Sequence, residues 1–411
     1  MTLYEDLMYR GLIKDVASSD LQKILDGEPI SFYWGTDPTA DSLHVGHYSS
    51  LITAKRLAKY GHHPILLVGG ATGLIGDPRP TAEREIISIE TVQNNIEGIK
   101  KQVTDIFDGK AEVVNNYDWF KDMDLITFLR DTGKYININY MLDKDIIRRR
   151  LETGITFAEF TYTLMQGYDF LHLCETKNVV MQVEGSDQWG NITTGIDLIS
   201  KKLGKEVHAF TMPLILDANG NKFGKSEGNA LWLDKNKTSS YKLFQYLINT
   251  DDSKVEEYLK VFTFLTKDEI EDVMKKHSEK PEERIAQRAL AKEFITDLHG
   301  SEEYENAEKI SKALFTDEIY SLTKEDILSA LEGVPTFNIN DEVSILDLLV
   351  NNNICSSRRE AREFLSAGAI RVNNVQITDE NEIINKDKLI DNSILILKKG
   401  KKNYFIGLYN N

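Results

Sequence analysis

The stretch Phe32-Tyr33-Trp34-Gly35-Thr36-Asp37-Pro38-Thr39-Ala40-Asp41-Ser42-Leu43-His44-Val45-Gly46-His47 decides how this chain folds. It begins apolar and aromatic, passes through a polar, proline-containing middle and ends in His-x-Gly-His, after which Leu51, Ala54, Leu57 and Ala58 set up a helical pattern. The two histidines therefore sit at or beside a helix N-terminus. There, free backbone N–H groups and the helix dipole attract phosphate, and imidazole N–H donors add directed hydrogen bonds. Gly46 is expected to leave room for a nucleotide to approach the backbone. Alone, a His-x-x-His pattern also suits helix capping or metal binding, so its surroundings have to decide.

Those surroundings alternate strand-like and helix-like segments over the first 230 residues, as a doubly wound parallel sheet requires. Pro64 to Gly70 reads as a strand buried on both faces, and Val92, Ile96, Ile99, Val103 and Ile106 form a helical stripe. Asn178 to Val183 reads as another central strand, followed by the polar segment Gly185-Ser186-Asp187-Gln188. Ligands bind beyond the carboxyl ends of parallel strands, which makes this transition a place for a site.

From about residue 237 the pattern becomes helical and strongly charged. Lys280-Pro281-Glu282-Glu283 is expected to start a helix whose Arg284, Arg288 and Lys292 line one face, either as a solvated surface or as an RNA contact. Gly333 to Asp341 reads as a linker. Beyond it, Ser344-Ile345-Leu346-Asp347 opens one helix, Ser356 to Arg362 another, and Gly368 to Asn373 turns into a strand. That order resembles the S4-type RNA-binding module. The resemblance implies that Arg358, Arg359, Arg362 and Arg371 face RNA, with Lys398, Lys399, Lys401 and Lys402 extending the patch.

The net charge of −16 is unusual for an RNA-binding protein, but it is unevenly placed. Residues 341–411 hold ten acids and ten bases, so the whole excess lies upstream and a polyanion must dock on local basic patches. Cys174 and Cys355 are far apart, with no Cys/His cluster, and support neither a disulfide framework nor a zinc site. No apolar run of membrane-spanning length occurs and the first residues lack a signal pattern, so the expectation is a soluble cytoplasmic protein.

A second motif, Lys222-Phe223-Gly224-Lys225-Ser226, follows the turn signal Asn219-Gly220 and rides on an exposed loop. Two ammonium groups on such a loop can move onto a triphosphate and follow its charge to the departing pyrophosphate. Together with His44-Val45-Gly46-His47 it resembles the paired signatures of class I aminoacyl-tRNA synthetases. Further stretches carry the likeness: Gly69 to Pro78, Asn115-Asn116-Tyr117-Asp118-Trp119, Tyr162 with Gln166 and Asp169, and Gly185 to Asn191. Over nearly its whole length the chain resembles the bacterial-type tyrosyl-tRNA synthetases.

The resemblance implies an α/β fold: a Rossmann-like catalytic domain over 1–232, an α-helical anticodon-side domain over 233–332, a linker at 333–342 and an α+β S4-like domain over 343–411. It implies tyrosine activation by ATP, with Mg²⁺ accompanying the phosphates, then transfer to tRNA(Tyr) by a homodimer. Tyr33 and Asp169 would hydrogen-bond the substrate hydroxyl, and Asp77, Tyr162 and Gln166 would hold its ammonium group. Gln188 and Gln182 would take carbonyl or carboxylate contacts. Gly35, Asp37, Thr39, His44, His47, Asp187, Gln188, Lys222 and Lys225 would meet ATP, Asp187 through a ribose hydroxyl. Lys201, Lys202 and Lys205 would meet the tRNA acceptor arm. No side chain need act as nucleophile or base, because the substrate carboxylate is already ionised.

Three departures stand out. Pro78 to Glu83 is shorter than the usual loop and lacks its lysine, leaving Arg79 or Arg84 as substitutes. Glu184 replaces a common glycine. Trp34 fills a position usually held by a smaller residue. Among the alternatives, a tryptophanyl-tRNA synthetase conflicts with Tyr33 and Asp169, because an indole offers one donor and no acceptor. A metabolite nucleotidyltransferase conflicts with the S4-like tail, and a noncatalytic RNA-binding factor with the retained His44, His47, Lys222 and Lys225.

Overall fold

The computed structural model describes residues 1–78, 87–151, 154–226, 229–314, 316–400 and 403–409. The chain forms two compact units, Met1–Thr238 with Ile248–Leu298, and Ser239–Leu247 with His299–Asn411.

The first unit is built on strands β1 (Val16–Ala17), β2 (Ser31–Thr36), β3 (His63–Val68), β4 (Glu112–Asn115), β5 (Val179–Gly185) and β6 (His208–Met212), in the order β1-β6-β5-β2-β3-β4. Every neighbouring pair is parallel except β1 with β6. The apolar run Ile65-Leu66-Leu67-Val68 is buried throughout, as a strand covered on both faces demands. Helices α1 (Val45–Lys59), α2 (Ile89–Ile106), α3 (Phe157–Lys177) and α4 (Trp189–Leu203) provide much of that cover. The predicted stripe Val92, Ile96, Ile99, Val103 and Ile106 is the buried face of α2. Phe170, Leu171, Leu173 and Cys174 from α3 pack with Leu198 and Ile199 from α4 and with Tyr33, Ile65, Leu67 and Val179 of the sheet. Connections leave the β2/β5 boundary in opposite directions, which is where a ligand crevice forms in such sheets.

One helix starts later than its sequence suggests. Pro281–Glu283 makes only a short 3₁₀ turn, Arg284 takes a left-handed backbone (φ 51°), and the helix runs Ile285–His299. Arg284 is therefore not on the helical face with Arg288 and Lys292; its Nη1 donates to the Ile248 carbonyl at 2.9 Å.

In the second unit, β9 (Thr336–Ile339), β11 (Ile370–Val372), β12 (Val375–Ile377), β14 (Ile394–Lys399) and β15 (Asn403–Tyr409) form a sheet ordered β12-β11-β14-β15-β9, while β10 (Val343–Ser344) pairs with β13 (Ile383–Ile384). In the first unit, β7 (Lys225–Ser226) and β8 (Asn229–Ala230) form an antiparallel two-stranded ribbon. Residues 336–339, read as linker, thus form an edge strand parallel to β15. Ser344 and Ser357 cap the helices Ile345–Asn351 and Arg358–Ser366, where the sequence signals placed them. Both cysteines are free and buried. Among the described residues, no helix is long and apolar enough to cross a membrane, and no His, Cys, Asp and Glu side chains group as a metal site.

Candidate active site

A cavity of about 1360 Å³ in the first unit is bordered by Tyr33, Gly35, Asp37, Thr39, His44, His47, Asp77, Tyr162, Gln166, Asp169, Asp187, Gln188 and Lys222. Residues scattered over nearly two hundred positions meet there because β2 and β5 end beside each other and α1, α3 and α4 begin or pass at the same edge.

His44 is the N-cap of α1. Its ring stacks on that of His47 with centroids 3.7 Å apart and planes at 17°. His47 Nδ1 accepts from the His44 N–H at 3.3 Å, so the neutral His47 ring carries its proton on Nε2 as a donor. Gly46 is closely surrounded: a Cβ there would lie 2.9 Å from His44 Cε1 and 3.5 Å from the Phe223 carbonyl oxygen. A side chain at Gly46 would press on the His44 ring and reach contact with the partner loop.

That partner loop docks directly. Gly224 has φ 86°, and a Cβ on it would lie 2.8 Å from Val45 Cβ and 2.9 Å from the Gly46 nitrogen. Val45 N–H donates to the Leu231 carbonyl at 2.8 Å, and Leu231 N–H to the Gly224 carbonyl at 2.9 Å. Phe223 anchors the loop among Tyr258 and Phe262, with ring centroids 4.5 and 4.6 Å away. Lys222 is exposed at the cavity rim. The Lys225 side chain, like Arg79 and Arg84, lies outside the described part of the structure.

At the closed end, Tyr162, Gln166 and Asp169 project from one face of α3 through their four- and three-residue spacing. Tyr162 O–H donates to Asp37 Oδ2 at 2.9 Å and Thr72 O–H to Asp37 Oδ1 at 2.8 Å. Asn116 Nδ2 donates to Thr72 Oγ1 at 2.9 Å and to Asp169 Oδ2 at 3.0 Å, and Trp119 Nε1 donates to Asp169 Oδ1 at 2.9 Å. Burial pushes the Asp169 carboxyl up to about 8 even though Asn116 and Trp119 pull it back. Asp77 accepts from Gln188 Nε2 at 3.1 Å and from Asn191 Nδ2 at 3.3 Å, joining residues that the sequence assigned to different ligands.

Among the described residues, three of the buried side-chain atoms without a hydrogen-bond partner lie at this end of the site: Tyr33 Oη, Gln166 Oε1 and Gln182 Nε2. Tyr33 and Gln182 face each other in the β2/β5 register. Each such group costs about 1–3 kcal/mol when left unsatisfied, so the trio marks places for a ligand's own polar atoms.

Sequence reasoning assigned no individual role to Asn116, Trp119, Thr72 or Asn191, although all four lie in motifs that carry the family likeness; no spacing ties β4's end to α3. Lys144 was missed altogether. It is buried beside the cavity, donating to the Gly190 carbonyl at 2.6 Å and to Thr193 Oγ1 at 3.0 Å, and burial lowers its ammonium to about 8.

In the second unit, Arg358, Arg359, Arg362 and Arg371 are exposed. The helix cations pair with Asp347, Glu363 and Glu380 respectively. Arg371 sits opposite Lys398 across β11 and β14. Lys399 is turned inward, donating to the Ile354 carbonyl at 2.8 Å and to Glu360 at 2.7 Å. Lys401 and Lys402 lie outside the described residues.

Fold and cavity together are those of a class I synthetase: the family described as tRNA synthetases class I (W and Y) matches residues 25–316. A second, described as the tyrosine–tRNA ligase SYY-like C-terminal domain, matches residues 326–407. The tyrosine–tRNA ligase of Streptococcus mutans is 46% identical over 418 aligned positions, spanning 100% of both chains, and tyrosine–tRNA ligase 1 of Streptococcus thermophilus is 45% identical over the same span. A C-terminally truncated mitochondrial tyrosyl-tRNA synthetase of Aspergillus nidulans superposes with a TM-score of 0.69 at 34% identity, covering 76% of this chain and 94% of its own. The chain belongs to the tyrosine–tRNA ligase family.

Proposed function

We propose that this chain activates L-tyrosine with ATP in the cavity described above and passes the tyrosyl group to the 3′ end of tRNA(Tyr). The observation that carries the residue assignments is the trio of unpartnered buried atoms. A tyrosine zwitterion offers a hydroxyl, an ammonium and a carboxylate; the vacant Tyr33 Oη, Gln166 Oε1 and Gln182 Nε2 are a hydroxyl, an acceptor and a donor. Asp169 would accept a hydrogen bond from the phenol O–H alongside Tyr33, while Asn116 and Trp119 fix its plane. Asp77, Tyr162 and Gln166 would hold the ammonium. A phenylalanine ring would leave Tyr33 Oη unpaired and Asp169 without the phenol donor, which is how a polar pocket rejects the smaller analogue.

ATP would lie across the β2/β5 boundary with its phosphates at the head of α1. His47 Nε2–H, His44 and the first-turn N–H groups would meet them, Lys222 and Lys225 would follow the leaving pyrophosphate, and Gly35, Asp37, Thr39 and Gln188 would border the reacting groups. ATP would enter as its Mg²⁺ complex, the ion riding on phosphate oxygens. The tyrosine carboxylate attacks the α-phosphorus, forming tyrosyl adenylate as the bond to pyrophosphate breaks; the terminal ribose of tRNA then displaces AMP. Arg358, Arg359, Arg362, Arg371 and Lys398 are assigned to tRNA, as are Lys201, Lys202 and Lys205; Lys399 is engaged within its own module. Arg371 and Lys398, like charges directly opposite, favour an anion between them.

A homodimer is the proposed assembly. Leu125, Ile126, Ile138 and Phe157 are 66%, 70%, 63% and 76% exposed within one stretch of the chain, and covering them by a second copy would remove this apolar surface from water. The activity is tested by pyrophosphate exchange into ATP with tyrosine, phenylalanine or tryptophan, followed by transfer to tRNA. Tyrosine alone should support exchange; its failure to do so would overturn the reading.

A further inference from the structure

Glu184 stands where the central sheet divides. β2 and β5 pair from Ser31/Val179 only as far as Tyr33/Gln182. Each then continues beside its other neighbour, β2 with β3 to Thr36/Val68 and β5 with β6 to Gly185/Met212. The Gly35 N–H, past the end of the β2/β5 ladder, donates to Glu184 Oε1 at 2.6 Å. The side chain is 5% exposed and borders the cavity.

The Gly35 N–H and the nearby Gln182 side chain are a thin partner set for a buried carboxyl. Burial, then the charges of Asp187 and Asp37, raise the Glu184 carboxyl well above the usual range against the opposing Gly35 N–H and Gln182 side chain. A neutral acid held there both donates and accepts, as a hydroxyl does, and it does not repel a triphosphate. On the adjoining wall Trp34 is buried, and its Nε1 donates to Ser50 Oγ at 3.0 Å. Asp187, exposed on the same cavity and near enough for its charge to act on Glu184, supplies one carboxylate. A ribose presents two neighbouring hydroxyls and is matched by two acceptors. Acidic side chains at strand ends of doubly wound sheets take ribose hydroxyls for this reason.

We propose that Glu184 is a second ribose-binding residue, its carboxyl taking one of the two ribose hydroxyls of ATP while Asp187 takes the other. This rests on the reading of the cavity as the ATP site. Glycine, common at this position in the family the sequence resembles, has no side chain to supply such a contact, so Glu184 would add a ribose contact that the common residue lacks.

The test is tyrosine-dependent pyrophosphate exchange with ATP, 2′-deoxy-ATP and 3′-deoxy-ATP, for the wild type, Glu184→Gly, Glu184→Gln and Asp187→Ala. In the wild type, loss of either hydroxyl should raise the nucleotide KM about tenfold, the size of one hydrogen bond. Glu184→Gly should raise KM for ATP by a similar factor and cut the penalty for one deoxy nucleotide to about twofold, leaving the other unchanged. Glu184→Gln, which keeps an acceptor and a donor, should restore the discrimination, and Asp187→Ala should erase the penalty for the opposite hydroxyl. A Glu184→Gly enzyme that discriminates both deoxy nucleotides as the wild type does would overturn the proposal, as would a wild type indifferent to both. Failure of exchange with ATP itself would overturn the reading of the cavity instead.

Discussion

Replacing Tyr33 by phenylalanine should move stability and binding in opposite directions. Tyr33 is 1% exposed and its Oη has no partner, so the empty protein carries a desolvated hydroxyl with nothing in return. Tyr33→Phe removes that oxygen while keeping the ring that packs on Phe170 at a centroid distance of 5.4 Å. Relief of an unsatisfied buried group is worth about 1–3 kcal/mol. At roughly 2 °C per kcal/mol for a large domain, the unliganded unit should melt about 2–6 °C higher. Tyrosine loses one hydrogen bond of about 0.5–1.5 kcal/mol, so its KM in pyrophosphate exchange should rise about 2- to 13-fold. The KM for phenylalanine should stay level or fall, narrowing the discrimination. Thermal unfolding with and without tyrosine, alongside exchange kinetics for both amino acids, decides the matter. A lower melting temperature for the empty variant, or an unchanged tyrosine KM, would refute the reasoning.

Three further outcomes are expected. Burial holds Asp169 at about 8, against about 3.9 for an unfolded aspartate. The folded state therefore keeps a proton that the unfolded state gives up, and stability should be lost as pH rises between those values. Asp169→Asn should flatten that slope in urea midpoints measured at pH 5 and 8, and tyrosine binding near pH 7, by favouring the ionised carboxylate, should release a proton visible as buffer-dependent calorimetric heat; equal slopes and no buffer dependence would count against it. Gly224→Ala, forced into φ 86° and against Val45, should displace the loop by a fraction of an ångström to about 1 Å and slow tyrosyl adenylate formation up to about 100-fold while tyrosine KM stays within about threefold; a variant with wild-type turnover would show that loop placement does not govern the step. Phe157→Asp should shift the mass measured by light scattering from two chains to one, whereas a single-chain wild type, or an unaltered dimer, would reject that face as the interface.

The order of elements was legible in the sequence because it is written locally. Pro64 to Gly70 is too apolar for anything but a covered strand, the α2 stripe keeps helical period, and Ser344 and Ser357 cap what they precede. Local signals misled where backbone conformation is set by its surroundings: Pro281 looked like a helix start, but Arg284 adopts a left-handed turn and reaches the Ile248 carbonyl instead. Residues 336–339 looked like a linker because four residues reveal nothing of a parallel partner that lies some seventy positions later.

For the site, sequence by itself determined the list of reacting side chains and the two signatures, since residue type and order are enough to resemble a family. Tertiary structure alone decided what each group is free to do. Gly46 makes room for the His44 ring, Asp169 takes donors from Asn116 and Trp119, Lys399 is occupied within its module, and Tyr33 Oη is left bare. The physical reason is that hydrogen-bond capacity belongs to a residue and is written in its code, whereas satisfaction of that capacity depends on neighbours brought together by folding from distant parts of the chain.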